Sequence, residues 1–295
     1  MRIPLAEREG YSLRGLLRGG DQRVPELPEV ETVVRDLRES LVGRTFQSVR
    51  IGRKRLRRPW SSAWNRQLIG CTVAGVQRRG KWILIDLGGP WLVAHLGMTG
   101  QLRVVPTIAP RQDHTHVIGC LDRGLELRFR DPRRFGSISY FADQADVDAF
   151  FTADRLGPEP FALDPAGWRE SLKRTRRCLK AVLLDQTVIA GVGNIYADEA
   201  LFEARLHPTL TANGVTLHQA DALRRAVVRV LKRAIARRGS TIRDYLDGNG
   251  KAGGYQHEFR VYGRTGQPCS RCKTPVASIR LAGRSTHFCS GCQRA

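Results

Sequence analysis

The chain has 295 residues, 41% of them hydrophobic, and a formal net charge of +21, which is enough length for two domains and a small third module. Charge of that size calls for a polyanionic partner, because fixed cations displace the counterions condensed on a nucleic acid; a membrane surface fits less well, since no basic amphipathic helix abuts a long apolar run. No stretch reaches the roughly 18 apolar residues that span a bilayer and the first residues lack the apolar core of a secretion signal, so a soluble, cytoplasmic protein is expected.

Residues 1–23 carry five arginines (Arg2, Arg8, Arg14, Arg18, Arg23) against Glu7, Glu9 and Asp21, a net +2 that leaves +19 on the remainder. Residues 28–41 predict a helix: Val30, Val33, Val34, Leu37 and Leu41 share one stripe, with charged residues opposite. Pro28 suits a first helical turn and acids follow it. From about 44 to 141 the texture changes to short β-type runs, among them Gln47–Ile51, Cys71–Gln77, Trp82–Leu87, Trp91–Leu96, His116–Cys120 and Leu125–Phe129, separated by Gly-rich or polar turns. These runs predict a sandwich. From about 145 to 246 the texture is helical. Its clearest element is 216–238, opened by a Thr216–Gln219 capping box, with an apolar face from Leu217 to Ile235, arginines on the remaining surface and Gly239 as a stop. Residues 247–261 are glycine-rich.

Cys71, Cys120 and Cys178 are isolated and read as reduced, partly buried thiols. The other four cysteines form Cys269-x-x-Cys272 and Cys289-x-x-Cys292, sixteen residues apart. Two such knuckles predict one closed four-thiolate zinc site, structural because no position is left for water. The intervening residues 275–288 alternate as a β-hairpin, with Gly283-Arg284-Ser285 at its tip. Gly191-Val192-Gly193-Asn194 lies between two helical stretches. Asn194 is a candidate N-cap there, and the turn suits either a phosphate or a plain helix–turn–helix joint.

The most telling string is Pro25-Glu26-Leu27-Pro28-Glu29-Val30-Glu31-Thr32. It resembles the N-terminal signature of the bacterial formamidopyrimidine-DNA glycosylases, of the Fpg/Nei superfamily. Further blocks occur in that family's order: Arg79-Gly80-Lys81, His95 to Gly100, Asp131 to Gly136, the Gly191–Glu199 turn with Leu179–Gln186 and Leu206-His207-Pro208, and the cysteine module. The resemblance implies an α+β, multidomain fold. A leader covers 1–24, an N-terminal catalytic β-sandwich domain with flanking helices covers 25–144, and a helix-two-turn-helix DNA-binding domain covers 145–261. The last includes a lesion-capping loop at 247–258, and a zinc-finger β-hairpin covers 262–295. In the family the chain begins at the proline, whose free amine is the nucleophile. An internal proline nitrogen is an amide and cannot attack. Val24 stands where an initiator would, and a GTG codon encodes both, so translation is expected to start there and processing to expose Pro25. The adjacent helix N-terminus is expected to lower the pKa of that amine.

The resemblance further implies a bifunctional glycosylase and AP lyase of base excision repair, acting as a monomer on duplex DNA with oxidised purines such as 8-oxoguanine and formamidopyrimidines. Pro25 would form the Schiff base, Glu26 would donate the proton, and Glu29 would support the pocket. Lys81 and Arg284 would contact phosphates and donate protons for β- and δ-elimination. His114, Arg133, Asn194, Met98 and Phe135 would bind DNA. Met98, Arg133 and Phe135 would fill the space left by an extruded nucleotide. One departure is at Gly253 to Glu258, where an aromatic is usual at the position of Tyr255 or Gln256. The rivals are an endonuclease VIII-type enzyme acting on oxidised pyrimidines, a non-catalytic damage-binding protein, and a plain zinc-ribbon DNA-binding protein.

Overall fold

A computed structural model describes residues 25–54, 56–241 and 252–294. The expected leader, and residues 247–251 of the expected capping loop, lie outside these. Helix α1 (Leu27–Leu41) is followed by β1 (Phe46–Ile51), a short α2 (Ser62–Leu68), then β2 (Gly75–Arg79), β3 (Trp82–Asp86), β4 (Trp91–His95), β5 (Gln101–Pro106), β6 (Thr115–Leu121), β7 (Leu125–Arg130) and β8 (Ser137–Phe141). The strands make two antiparallel four-stranded sheets, in order β1-β6-β7-β5 and β2-β3-β4-β8. Strands β5 and β8 lie inside the expected β-type stretch 44–141 but outside the runs singled out within it; Arg103 interrupts the first, and Ser137 and Ser139 break up the second.

Between the sheets lies an apolar core with Ile83, Ile85, Leu92, Ala94, Phe129 and Ile138, closed at one end by the Val30–Leu41 stripe of α1. The alternate residues of β3 and β4, Trp82, Leu84, Trp91 and Val93, pack under α3 (Gln144–Ala153). Both faces of β3 and β4 are therefore covered, which is why these two strands read as nearly continuous apolar runs.

A second core is helical, built from α4 (Pro165–Lys173), α5 (Leu179–Leu184), α6 (Asn194–Ala204) and α7 (Leu217–Ala236). The Thr216–Gln219 capping box is present, with Thr216 N–H to Gln219 Oε1 at 2.8 Å and Gln219 N–H to Thr216 Oγ1 at 3.2 Å. Leu27 of α1 packs into this helical core, so α1 belongs to both cores and fixes the block ahead of it between them. Two ion-pair staples tighten the joint. Arg238, just past α7, reaches both Asp36 oxygens at 2.6 and 2.7 Å, and Arg78 of β2 bonds Glu31 of α1 and Glu159.

The C-terminal hairpin is β9 (Ala277–Leu281) with β10 (Arg284–Phe288). Its tip is Ala282-Gly283, both at positive φ (48° and 73°), the twist a two-residue hairpin turn requires. Arg284 is therefore the first residue of β10 rather than the tip residue expected from sequence.

Candidate active site and nucleic-acid interface

Two helix N-termini converge on the Pro25–Glu29 block. Pro25 and Glu26 are buried, and Glu26 is the residue immediately before α1. Its carboxylate crosses to α6, accepting from Gly193 N–H at 2.7 Å, Ile195 N–H at 2.9 Å and Tyr196 N–H at 3.4 Å. These are orphan donors of a helix start, with the positive end of the helix dipole behind them. The N-cap position belongs to Gly193, and Asn194 is the first helical residue. The expected Asn194 cap is thus corrected: a carboxylate 167 residues away satisfies these donors. The same contact corrects the phosphate reading of the Gly191–Gly193 turn, because Gly193 N–H and the first N–H groups of α6 already hold the chain's own anion, while Gly191 N–H donates to Gln186 Oε1 at 2.8 Å. A side chain at 193 has no room, since a Cβ there would lie 2.3 Å from Glu26 Cδ.

Glu29 sits one turn along α1 and is also buried. It accepts from the Tyr196 hydroxyl, from Ser240 N–H at 2.7 Å and Oγ at 3.0 Å, and from Glu26 N–H at 3.0 Å. Burial, then the neighbouring Glu26 charge, push its pKa up to about 7 against the pull of Tyr196 and Ser240. Burial also raises Glu26, opposed by Lys81 and the Ile195 N–H.

Lys81 is half-buried in the two-residue turn joining β2 and β3. The preceding Gly80, at φ +57°, lies against Ala190 with room for a Cβ only at 3.2 Å, which seats the turn beside the entrance to α6. Burial lowers the Lys81 pKa; the nearby Glu26 and Glu29 oppose the fall and Arg284 adds to it. Arg284 is held in range by the docking of the hairpin on α6. There Asn194 Nδ2 donates to Ser285 O at 3.1 Å, and buried Asp198 accepts from His287 N–H at 2.9 Å and meets His287 Nδ1 at 3.1 Å. Lys180, fully buried, donates to the other Asp198 oxygen at 2.5 Å and to Asn194 O at 2.9 Å. Asn194 Oδ1 is buried with no hydrogen-bond partner.

The loops after β4 and β7 form a neighbouring edge. Met98 is half-buried and Arg133 and Phe135 are exposed, with the Arg133 guanidinium 4.8 Å from the Phe135 ring centroid. The loops touch through glycines: a Cβ on Gly97, itself at φ +60°, would lie 2.4 Å from Gly136 N. His95 supports the first loop, its Nδ1 accepting Gly97 N–H at 3.0 Å. Burial, with Lys81, Arg58 and Arg57 nearby, depresses the His95 pKa to about 3, so the ring is neutral and able to accept. His114 is exposed, at φ 65°.

The sulfurs of Cys269, Cys272, Cys289 and Cys292 lie within 4.8 Å of one another. Four thiolates at that spacing fit a tetrahedral zinc with bonds of about 2.3 Å, and the site holds one structural zinc ion. Glu199, next to Asp198 on α6, accepts the N–H groups of Arg260, Val261 and Tyr262 and so fixes the segment leading to this module.

Comparison with known families matches three consecutive regions: the formamidopyrimidine-DNA glycosylase N-terminal domain over 24–138, its H2TH domain over 156–245, and the zinc finger found in FPG and IleRS over 266–295. The chain belongs to the formamidopyrimidine-DNA glycosylase family. Among curated relatives, the formamidopyrimidine-DNA glycosylase of Herpetosiphon aurantiacus is 46% identical, and that of Geobacillus kaustophilus 42%; each match covers 92% of this chain and 100% of the relative. Among solved structures, a complex of Lactococcus lactis Fpg with abasic-site DNA is 35% identical, with a TM-score of 0.85 over 92% of this chain and 100% of that one. A complex of the same enzyme with Fapy-dG DNA is 35% identical, with a TM-score of 0.84 over the same shares. The α+β multidomain fold expected from the sequence is that of these Fpg structures.

Sequence reasoning did not single out Tyr196, Ser240, Lys180 or Asp198. Tyr196 and Asp198 lie inside the quoted glycine block but carry no signal of their own. Lys180, a cation inside the apolar run Leu179–Leu184, was legible as an anomaly that needs a buried partner.

Proposed function

We propose that the chain is a bifunctional DNA glycosylase and AP lyase of base excision repair that removes oxidised purines from duplex DNA. The supporting observation is the convergence of Pro25, Glu26, Glu29 and Lys81 at the start of α6, with Arg284 brought in range by the zinc-stapled hairpin. The Pro25 nitrogen attacks C1′ of the damaged nucleoside and the purine leaves, giving an iminium. A secondary amine forms an iminium with no N–H to lose, so the cation persists as an electron sink. Elimination of the 3′ phosphate and then of the 5′ phosphate leaves a one-nucleotide gap.

Glu26 handles the proton at the sugar. A carboxyl whose pKa is raised by burial holds that proton closer to neutral pH than a free one does. Glu29 supports the pocket wall through Tyr196 and Ser240. Lys81, Asn194 and Arg284 grip the phosphates that flank the lesion and position the sugar, and Lys81 and Arg284 supply protons for the two eliminations. His114 contacts the backbone. Met98, Arg133 and Phe135 enter the duplex where the nucleotide is extruded, offsetting lost stacking. The active form carries a free amine at Pro25; the relatives align over their full length without a counterpart to about 8% of this chain, and the N-terminal family match opens at residue 24.

Borohydride trapping tests the proposal. Protein beginning at Pro25 is expected to form a covalent adduct with duplex containing 8-oxoguanine, and protein retaining residues ahead of Pro25 is not. No adduct from the Pro25 form turns the reading to a non-catalytic damage binder. Preference for thymine glycol over 8-oxoguanine turns it to the endonuclease VIII type.

A further inference from the structure

We infer that the Asp131 carboxylate is the positioning residue that holds both wedge loops as one rigid unit, and that its bond to Thr99 is the coupling between them. This rests on the reading of Met98, Arg133 and Phe135 as residues that enter the duplex. Asp131 is fully buried, at 0% exposure. One carboxylate oxygen accepts from Thr99 Oγ1 at 2.6 Å, on the loop that carries Met98, and from Arg133 N–H at 3.2 Å; the other accepts from Gly136 N–H at 2.7 Å. Its backbone closes the remaining side. Asp131 O accepts Arg134 N–H at 3.2 Å and meets His116 Nε2 at 2.9 Å, and Asp131 N–H donates to His114 O at 3.0 Å.

The segments that carry Met98, Arg133, Phe135 and His114 therefore all hang on this one position. Two of the attached residues are held in the left-handed region, Arg134 at φ 57° and His114 at φ 65°. Non-glycine residues stay there only where their surroundings over-determine them. Gly97 and Gly136 press the loops together too closely for any other residue, but van der Waals contact alone does not fix an angle, whereas three donors on one carboxylate do. Opening a stacked duplex requires the wedge to be rigid before it enters; a wedge that must first be ordered spends its contact energy on its own entropy. The consequence is selective. Loosening the anchor hinders entry into a duplex and leaves chemistry on an already unpaired sugar unaffected.

The test compares two substrates under single-turnover conditions: duplex with 8-oxoguanine opposite cytosine, and a single-stranded oligonucleotide carrying an abasic site, which needs no wedge. Thr99→Val keeps the shape and removes both cross-loop bonds of the hydroxyl, the one it donates to Asp131 and the one it accepts from Arg133 N–H at 3.3 Å; it is expected to lower the duplex rate by about tenfold and leave the single-strand rate unchanged, with Thr99→Ser restoring the duplex rate. Asp131→Asn, which sets an amide N–H against a backbone N–H, is expected to follow the same pattern, and the double variant to cost no more than the worse single one. Emission from 2-aminopurine opposite the lesion should rise more slowly in Thr99→Val, reporting duplex opening directly. Equal loss on both substrates, or no loss on either, overturns the inference. Phe135→Ala is the control for the reading beneath it. If Phe135→Ala leaves the duplex-to-single-strand ratio unchanged, the wedge reading itself fails; if it lowers the ratio while Thr99→Val does not, only the anchor is refuted.

Discussion

Glu29 should make the protein less stable as pH rises through neutrality, and Glu29→Gln should remove that dependence. Its pKa is raised from 4.5 to about 7 in the folded protein, so between these values the folded state binds more protons than the unfolded chain. Stability then falls with rising pH across that window and levels off above it. A shift of that size at about 1.4 kcal/mol per unit amounts to roughly 3 kcal/mol lost between pH 4.5 and 8. No surface screening discounts it, because the side chain is buried among Tyr196, Ser240 and the Glu26 backbone. For a protein of this size that corresponds to a melting-temperature change of about 5 °C or more. Glutamine keeps an acceptor for Tyr196 and Ser240 but turns an amide N–H toward Glu26 N–H, so the variant should start lower at pH 5 and converge on or pass the parent by pH 8. The measurement is the difference in melting temperature between parent and Glu29→Gln at half-unit steps from pH 5 to 8. A difference that stays constant across the range would show that Glu29 is ionised throughout and that its burial does not govern its proton.

Three further outcomes follow from the same geometry. Gly193→Ala should evict the Glu26 carboxylate, because the new Cβ would lie 2.3 Å from Glu26 Cδ; excision should fall by about 100-fold with circular dichroism unchanged, and a parental rate would refute the placement of Glu26. Lys180→Met leaves Asp198 buried without its cation and should cost about 3–5 kcal/mol in denaturant unfolding, whereas a loss under 1 kcal/mol would mean the pair contributes little. Cys289→Ser should release zinc, read by native mass spectrometry, and weaken DNA binding as the hairpin carrying Arg284 loses its staple; full affinity without metal would separate the zinc from the interface.

The legible parts of the molecule were those whose physics is local. Helix α7 has twenty residues, one apolar face and a cap whose two partners are three apart, and its limits followed from the sequence within two residues. The cysteine knuckles are equally local. Helix α6 showed only as a helical stretch after the glycine turn, with no stripe to fix its extent, because Ile195 through Phe202 are all buried and a helix covered on every side has no stripe to read. Its cap was invisible for a related reason: the capping group is Glu26, on another element of the chain. Strand β8 lies inside the β-textured stretch, but its pairing was not readable because its partner, β4, is more than forty residues earlier. The site behaves the same way. The block containing Pro25, Glu26 and Glu29 announced itself as a motif, yet what the two glutamates touch depends on Tyr196 and Ser240, and neither residue type carries a signal at its position.

That division bears on how two adjacent carboxylates come to serve different purposes. Glu26 and Glu29 lie three residues apart, so a helix that begins between them sends both toward the interior. Two bare anions there would be untenable, and the fold treats them differently. Glu26 receives three backbone donors at the positive end of α6 and has Lys81 as a counter-charge. Glu29 is held instead by the Tyr196 hydroxyl and by Ser240, and the charge of Glu26 pushes its proton affinity up. Environments that separate two acids in this way commonly assign them separate roles. The repulsion also runs in both directions, so whatever draws charge off Glu26 during the reaction lowers the pKa of Glu29. On the proposed mechanism, proton transfer by Glu26 at the sugar and the protonation of Glu29 are thereby linked through a single turn of α1.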